Sequence, residues 1–333
     1  MIHFHTSCLC GGLCQGMALF YSVAMNKSAS PLIPILSVAT TIFVWAAAFP
    51  AITLTLKEID PLPLAAVRFA IAASFAMIWL AWARPRMMPL ADLAWCIVCG
   101  IVSGVGYSVF LNLGQETVSA GAASFLVKTE SLWMAAFAVF LLKERFTGWA
   151  WAGMLACVVG VGLIAAAQPG GITLGTGAPL VLAAALCSAA GFTLQRGLAL
   201  RHGALHVAAV TFIVAALALS PWLPQAVTQM QAASTATIGW AVFLGVFPTA
   251  IGLACWVYAL GYFGVAHSGN LLYLVAPLAM LIAWAIAGET PALVTVIGGL
   301  LILSGVIVVN SLGRKQAARI DSTNKKGSVP VEG

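Results

Sequence analysis

Charge is what this sequence has least of. Asp, Glu, Lys and Arg make up 7% of its 333 residues, and only nine are acidic, whereas soluble domains carry about 25% charged residues. So few charges cannot cover the surface of a water-soluble domain of this length. Catalytic constellations are missing too. There is no H-E-x-x-H, no nucleophile elbow and no Walker A motif, and GVGYSV does not match the dinucleotide fingerprint. Five of the nine acidic residues (Glu58, Asp60, Asp92, Asp321 and Glu332) fall in loops, at helix edges or in the tail. The expectation is therefore no enzyme, no cofactor and no metal. His3 and His5 near Cys8, Cys10 and Cys14 form a conceivable metal-binding arm, which we set aside. The other five cysteines are scattered singly and imply no disulfide framework. His202 and His206 need no more than a basic turn to explain them. Basic residues form no aromatic-interleaved patch, which excludes nucleic acid as a partner.

Apolar residues are abundant instead, at 62%. They fall into ten runs of roughly spanning length: Leu32–Leu56, Leu62–Ala83, Leu90–Leu113, Ser119–Leu142, Gly148–Ala167, Ala178–Leu200, Leu205–Leu223, Thr237–Leu260, Val265–Gly288 and Ala292–Ser311. A spanning helix needs about 20 such residues, and the bilayer is the solvent that fits. Basic residues then orient the chain. With the N-terminus inside, twelve Lys and Arg lie on the inner side and only Lys57 lies outside. Both termini are expected to be cytoplasmic. Most loops are short enough to make neighbouring helices antiparallel.

An internal repeat follows. At an offset of 145, CGIVSGVGYSVFLNLG (99–114) falls on LGVFPTAIGLACWVYA (244–259), and Glu144, Gly153 and Gly160 meet Glu289, Gly298 and Gly305. Earlier in each half the offset is 143, with Phe69 on Phe212. Five helices per copy would invert the second copy in the membrane, a transporter architecture. GIVSG (Gly100–Gly104) reads as a small-xxx-small packing face.

WAAAFPAITL, PLPLAAVRFAIAA with its Arg68, and the blocks VSAGAASFLVKTESLWMAAFAVFLLKE and VAHSGNLLYLVAPLAMLIAWAIAGE resemble the drug/metabolite transporter superfamily, specifically its EamA-type family. Leu132 stands where the second block has Pro277. The resemblance implies an all-α integral membrane protein of ten transmembrane helices in two inverted five-helix repeats. The expected domains are 32–167 and 178–311, after an N-terminal extension (1–31, a mis-assigned start or a disordered arm) and before a basic cytoplasmic tail (312–333). The expected function is a secondary transporter in the cell inner membrane. It would export a small metabolite, foremost an amino acid with an apolar or aromatic side chain, by alternating access around a central midplane cavity. Efflux of amphipathic drugs or nucleobase-like compounds is the alternative, and a non-transporting sensor or scaffold is the alternative from another class. Expected partners are a small-molecule substrate and the lipid bilayer. Proton coupling and facilitated diffusion both stay open, as do monomer and homodimer.

The candidate site begins at FLVKTESLW. On a straight helix entering near Ser119, Lys128 and Glu130 lie about 14–17 Å deep, in the middle of a roughly 30 Å core. A charge there costs about 2.5–3.5 kcal/mol on insertion scales and marks a functional candidate. At i, i+2 the two side chains are expected to diverge by about 200°, leaving Glu130 to form a structural or coupling ion pair with Arg68. Lys128 is expected to attract a substrate carboxylate or carbonyl. Its repeat counterpart Tyr273, with Asn270, Trp45, Tyr107 and Trp256, would shape the rest of the site. Trp79, Trp82, Trp149, Trp151, Trp222 and Trp240 are read as interfacial anchors.

Overall fold

The computed structural model describes residues 32–142, 148–167, 177–259 and 271–308, and the regular structure among them is helical, without strands. The elements are α1 (Leu32–Thr55), α2 (Pro61–Ala83), α3 (Leu90–Gln115), α4 (Ala120–Val127), α5 (Glu130–Leu142), α6 (Gly148–Ala166), α7 (Gly177–His202), α8 (Ala204–Leu219), α9 (Leu223–Ala232), α10 (Thr235–Ala259), α11 (Leu272–Ala287) and α12 (Leu293–Val308). Six continuous stretches are long and apolar enough to cross a membrane: α1, α2, α3, Gly177–Gln195 in α7, Ala204–Ala232 and α10. Phe43, Phe75, Ile78, Trp82, Leu155 and Trp284 stand exposed, an apolar exterior suited to lipid rather than water.

Local chemistry sets the helix ends. Pro61 opens α2 at a position where its missing N–H costs nothing. Ser119 and Ser234 cap α4 and α10, their hydroxyls accepting from the N–H groups of Ala122 and Thr237. All eight residues of α4 are buried. Its sequence AGAASFLV is small enough at the start for α1, α7, α11 and α12 to close around it.

Residues matched by the sequence repeat also meet in matched pairs. A Cβ on Gly100 would stand 2.8 Å from Val214 of α8, and one on Gly245 would stand 2.7 Å from Ile71 of α2. Where α6 crosses α12, a Cβ on Gly160 would approach the Gly298 carbonyl to 2.5 Å, and one on Gly305 would approach the Gly153 carbonyl to 2.4 Å. The rings of Phe69 and Phe212 touch at a centroid distance of 6.1 Å. Both α3 and α10 contain a π-helical segment, Gly100–Gly106 and Gly245–Ile251, and the two lie 145 residues apart.

Candidate functional site

The helix carrying Lys128 and Glu130 is broken between them. Lys128 and Thr129 form a turn separating α4 from α5. Their N–H groups bond three residues back, to Phe125 (3.0 Å) and Leu126 (3.1 Å), and the Thr129 hydroxyl donates to the same Leu126 carbonyl at 2.7 Å. Tightening toward three residues per turn brings the two side chains together. Lys128 Nζ lies 3.7 Å from Glu130 Oε1, and the other Glu130 oxygen accepts a 2.8 Å bond from Ser188 of α7. The side chains of Lys128 and Glu130 are 7% and 15% exposed, so the lysine is buried and the carboxylate partly so.

That geometry corrects two expectations. Lys128 and Glu130 do not diverge, because the regular helix on which the 200° rested ends at Val127. The expected ion pair between Arg68 and Glu130 does not form either. Arg68 Nε donates instead to Thr249 Oγ1 at 2.8 Å, and Arg68 Nη1 is buried without a hydrogen-bond partner. Thr249 is offered by the π-helical segment of α10, where its own hydroxyl donates to the Leu244 carbonyl at 2.9 Å. Tyr107, half-buried on α3, stands within electrostatic reach of both Arg68 and Glu130.

Trp45 and Trp256, from α1 and α10, come together with ring centroids 5.7 Å apart. Trp45 donates its indole N–H to the Pro248 carbonyl at 2.8 Å. Proline at 248 has no N–H to give the Leu244 carbonyl, and the Thr249 hydroxyl donates to that carbonyl instead. Trp133 and Trp284 face outward, 38% and 58% exposed. Tyr273 is half-buried against the main core. Asn270 lies outside the described residues. Sequence reasoning missed Ser188 and Thr249, single hydroxyls inside apolar helices. Thr249 directly after an intrahelical proline was the available signal.

Polar clusters also join elements at the two ends of the bundle. At one end Glu58 accepts bonds from the Ser234 N–H (2.6 Å), the Ser234 hydroxyl (2.8 Å) and the Thr237 hydroxyl (2.9 Å). The Ser234 N–H, followed by the two hydroxyls, holds the Glu58 carboxyl below the usual carboxylate range. Nearby, Asp60 accepts from Gln225 (2.8 Å) and Gln229 (2.6 Å). Glu289 accepts from the Ala120 N–H at 3.3 Å beside a cleft of about 170 Å³, also lined by Ser119, Met280 and Thr295. At the other end Asp92 holds Arg201 Nη2 at 2.9 Å and His202 Nε2 at 2.6 Å.

Comparison with known proteins agrees with this architecture. A probable terminal-alkyne amino-acid exporter of Streptantibioticus cattleyicolor is 34% identical over 84% of this chain and 94% of its own length. A probable amino-acid metabolite efflux pump of Salmonella typhimurium is 26% identical over 80% of this chain and 91% of its own. An uncharacterized transporter of Bacillus subtilis is 29% identical over 79% and 86%. One crystal structure shares the fold with a TM-score of 0.58 at 21% identity, covering 87% of this chain and 99% of its own. The model of the EamA-like transporter family matches twice, at residues 32–166 and 175–311. This multi-pass membrane protein belongs to the EamA-like transporter family.

Proposed function

We propose that the protein is a secondary transporter of the inner membrane. It exports an amino acid or amino-acid-like metabolite with an apolar or aromatic side chain, by alternating access around a site at mid-depth. The observation that carries this reading is the group Lys128, Glu130 and Arg68 inside an otherwise apolar bundle. Charges so placed are costly to insert, and a carrier of charged metabolites has a use for them. The names of the relatives from S. cattleyicolor and S. typhimurium point to the same substrate class.

Around that group, Lys128 offers an N–H donor to a substrate carboxylate or carbonyl once its 3.7 Å contact with Glu130 loosens. Tyr107, Trp45, Trp256, Tyr273 and Asn270 shape the apolar remainder. The architecture belongs to the same proposal: ten membrane helices, as repeats over 32–167 and 178–311 inverted relative to each other, with both termini cytoplasmic. The reciprocal contacts Gly100–Val214 and Gly245–Ile71 are what a two-fold relation between the halves would produce.

The experiment is uptake into proteoliposomes of a panel of amino acids, amphipathic cations and nucleobases, with and without a pH gradient. Uptake of apolar or aromatic amino acids above the rate in empty liposomes is expected, and the pH-gradient arm decides between proton exchange and facilitated diffusion. Entry of none of the panel would turn the reading toward a sensor or scaffold. A reporter fused within 169–177 should score outside the cell, and a cytoplasmic score would overturn the inverted topology.

A further inference from the structure

Charge balance at the site rests on the exporter reading but shifts the favoured substrate from the zwitterionic amino acid to its amino-acid-like relatives without a free ammonium. Among the described residues, the charged side chains well inside the bundle are Arg68, Lys128 and Glu130. Lys128 and Glu130 answer each other. Arg68 is met only by the neutral hydroxyl of Thr249, and its Nη1 is enclosed without a hydrogen-bond partner. A guanidinium stays charged at any physiological pH, so the group keeps one positive charge that no carboxylate among the described residues offsets. A buried donor left unmade is itself costly, more so on a charged group.

A ligand carboxylate would supply both missing elements. The planar guanidinium presents donors at the spacing of two carboxylate oxygens, and one negative charge brings the group to neutrality. A zwitterionic amino acid supplies the carboxylate but adds an ammonium, so the excess positive charge remains. A monocarboxylate whose amine is absent or acylated removes it. Tyr107 lies within electrostatic reach of both Arg68 and Glu130. Lys128, its charge already matched, is left to hydrogen-bond a carboxylate or acyl oxygen.

We propose that Arg68 is the anion anchor of the transport site, and that the site takes apolar or aromatic monocarboxylates lacking a free ammonium in preference to the corresponding zwitterions and amines.

Titration calorimetry on the purified full-length chain in detergent tests this with four probes: 3-phenylpropionate, N-acetylphenylalanine, phenylalanine and phenethyl alcohol. The two ammonium-free carboxylates should bind about tenfold or more tighter than phenylalanine, a difference of one decade in Kd. Arg68→Gln should weaken both by a similar factor and leave the neutral alcohol unchanged. Arg68→Lys, which keeps the charge but loses the planar pair of donors, should fall between. The order of ligands in the unaltered chain needs no variant, so it decides even if Arg68→Gln fails to fold. Phenylalanine binding as tightly as 3-phenylpropionate, or an Arg68→Gln protein that still prefers the carboxylates, would overturn the anchor while leaving the exporter reading standing. If none of the four binds, the alcohol included, the aromatic-substrate reading falls and the anchor falls with it.

Discussion

At matched positions the two halves of the chain agree in shape and disagree in charge. Gly100 packs on Val214 as Gly245 packs on Ile71, and the α6–α12 crossing uses Gly153 and Gly160 against Gly298 and Gly305 in reciprocal fashion. Each π-helical segment carries a hydroxyl that donates to the carbonyl just before the segment, Ser103 to Cys99 and Thr249 to Leu244, and accepts a 2.8 Å bond from another helix. The donors differ: neutral Gln195 serves Ser103 and cationic Arg68 serves Thr249. Opposite Arg68, Lys128 and Glu130, the repeat places Thr211, Tyr273 and Val275. The packing frame is shared between the halves, while the chemistry is concentrated in one. A symmetric frame can rock about its middle, whereas recognition of an asymmetric molecule needs an asymmetric lining.

The largest effects should come from the frame. Gly160→Leu and Gly305→Leu each push a side chain into backbone that cannot yield, so both should lose stability at or above the ~1–3 kcal/mol of ordinary overpacking. Thermal unfolding of detergent-purified protein measures this, and unequal losses would break the equivalence of the two contacts.

Next is the charged pair. Lys128→Ala leaves Glu130 its Ser188 bond and its place in the first turn of α5, so the cost should stay below the ~3–5 kcal/mol of breaking a fully buried pair, since Glu130 is 15% exposed. Adding Glu130→Gln should recover part of that loss, and both variants should transport poorly. Wild-type transport by a well-inserted Lys128→Ala would remove Lys128 from the site.

Smaller, and directed at the comparison itself, is the contrast between Ser103→Ala and Thr249→Val. A hydrogen bond to a neutral donor contributes about 0.5–1.5 kcal/mol and one to a charged donor about 1.5–3 kcal/mol. Thr249→Val should therefore be the more damaging in unfolding measurements. Equal costs would mean that Arg68 draws nothing from its charge at this contact.

The smallest effect concerns Glu58, fully outside the apolar layer. Its carboxyl sits below its ordinary value of 4.5 in the folded chain. Its contribution is therefore complete above that value and is lost as pH falls through the lowered one. A pH series of unfolding temperatures should show wild type and Glu58→Gln differing at neutral pH and converging in acid. Convergence at neutral pH instead would show that the Ser234 contact adds nothing.

Much of the bundle could be read directly from residues. Apolar runs from Leu32, Leu62, Leu90, Ala178, Leu205 and Thr237 all lie in helices long enough to span, because hydropathy and length are local properties. Trp45 and Trp256, both expected to shape the site, meet each other across α1 and α10. What escaped was every feature made by one hydroxyl competing for a backbone carbonyl. Thr129 takes a carbonyl of α4, which it follows, and Thr249 one of its own helix, and the turn at Lys128 and the π-helical segment of α10 accompany those bonds. Periodicity treats a helix as uniform, so it placed Lys128 and Glu130 on opposite faces and gave Arg68 the wrong partner.

The break after Val127 also makes two new helix ends in the interior, and each end carries a fractional charge of its own. Lys128 caps the C-terminus of α4 and Glu130 sits in the first turn of α5. The cation thus meets the negative end of one helix and the anion the positive end of the next. Backbone dipoles therefore add to the support of each charge beyond their contact with one another.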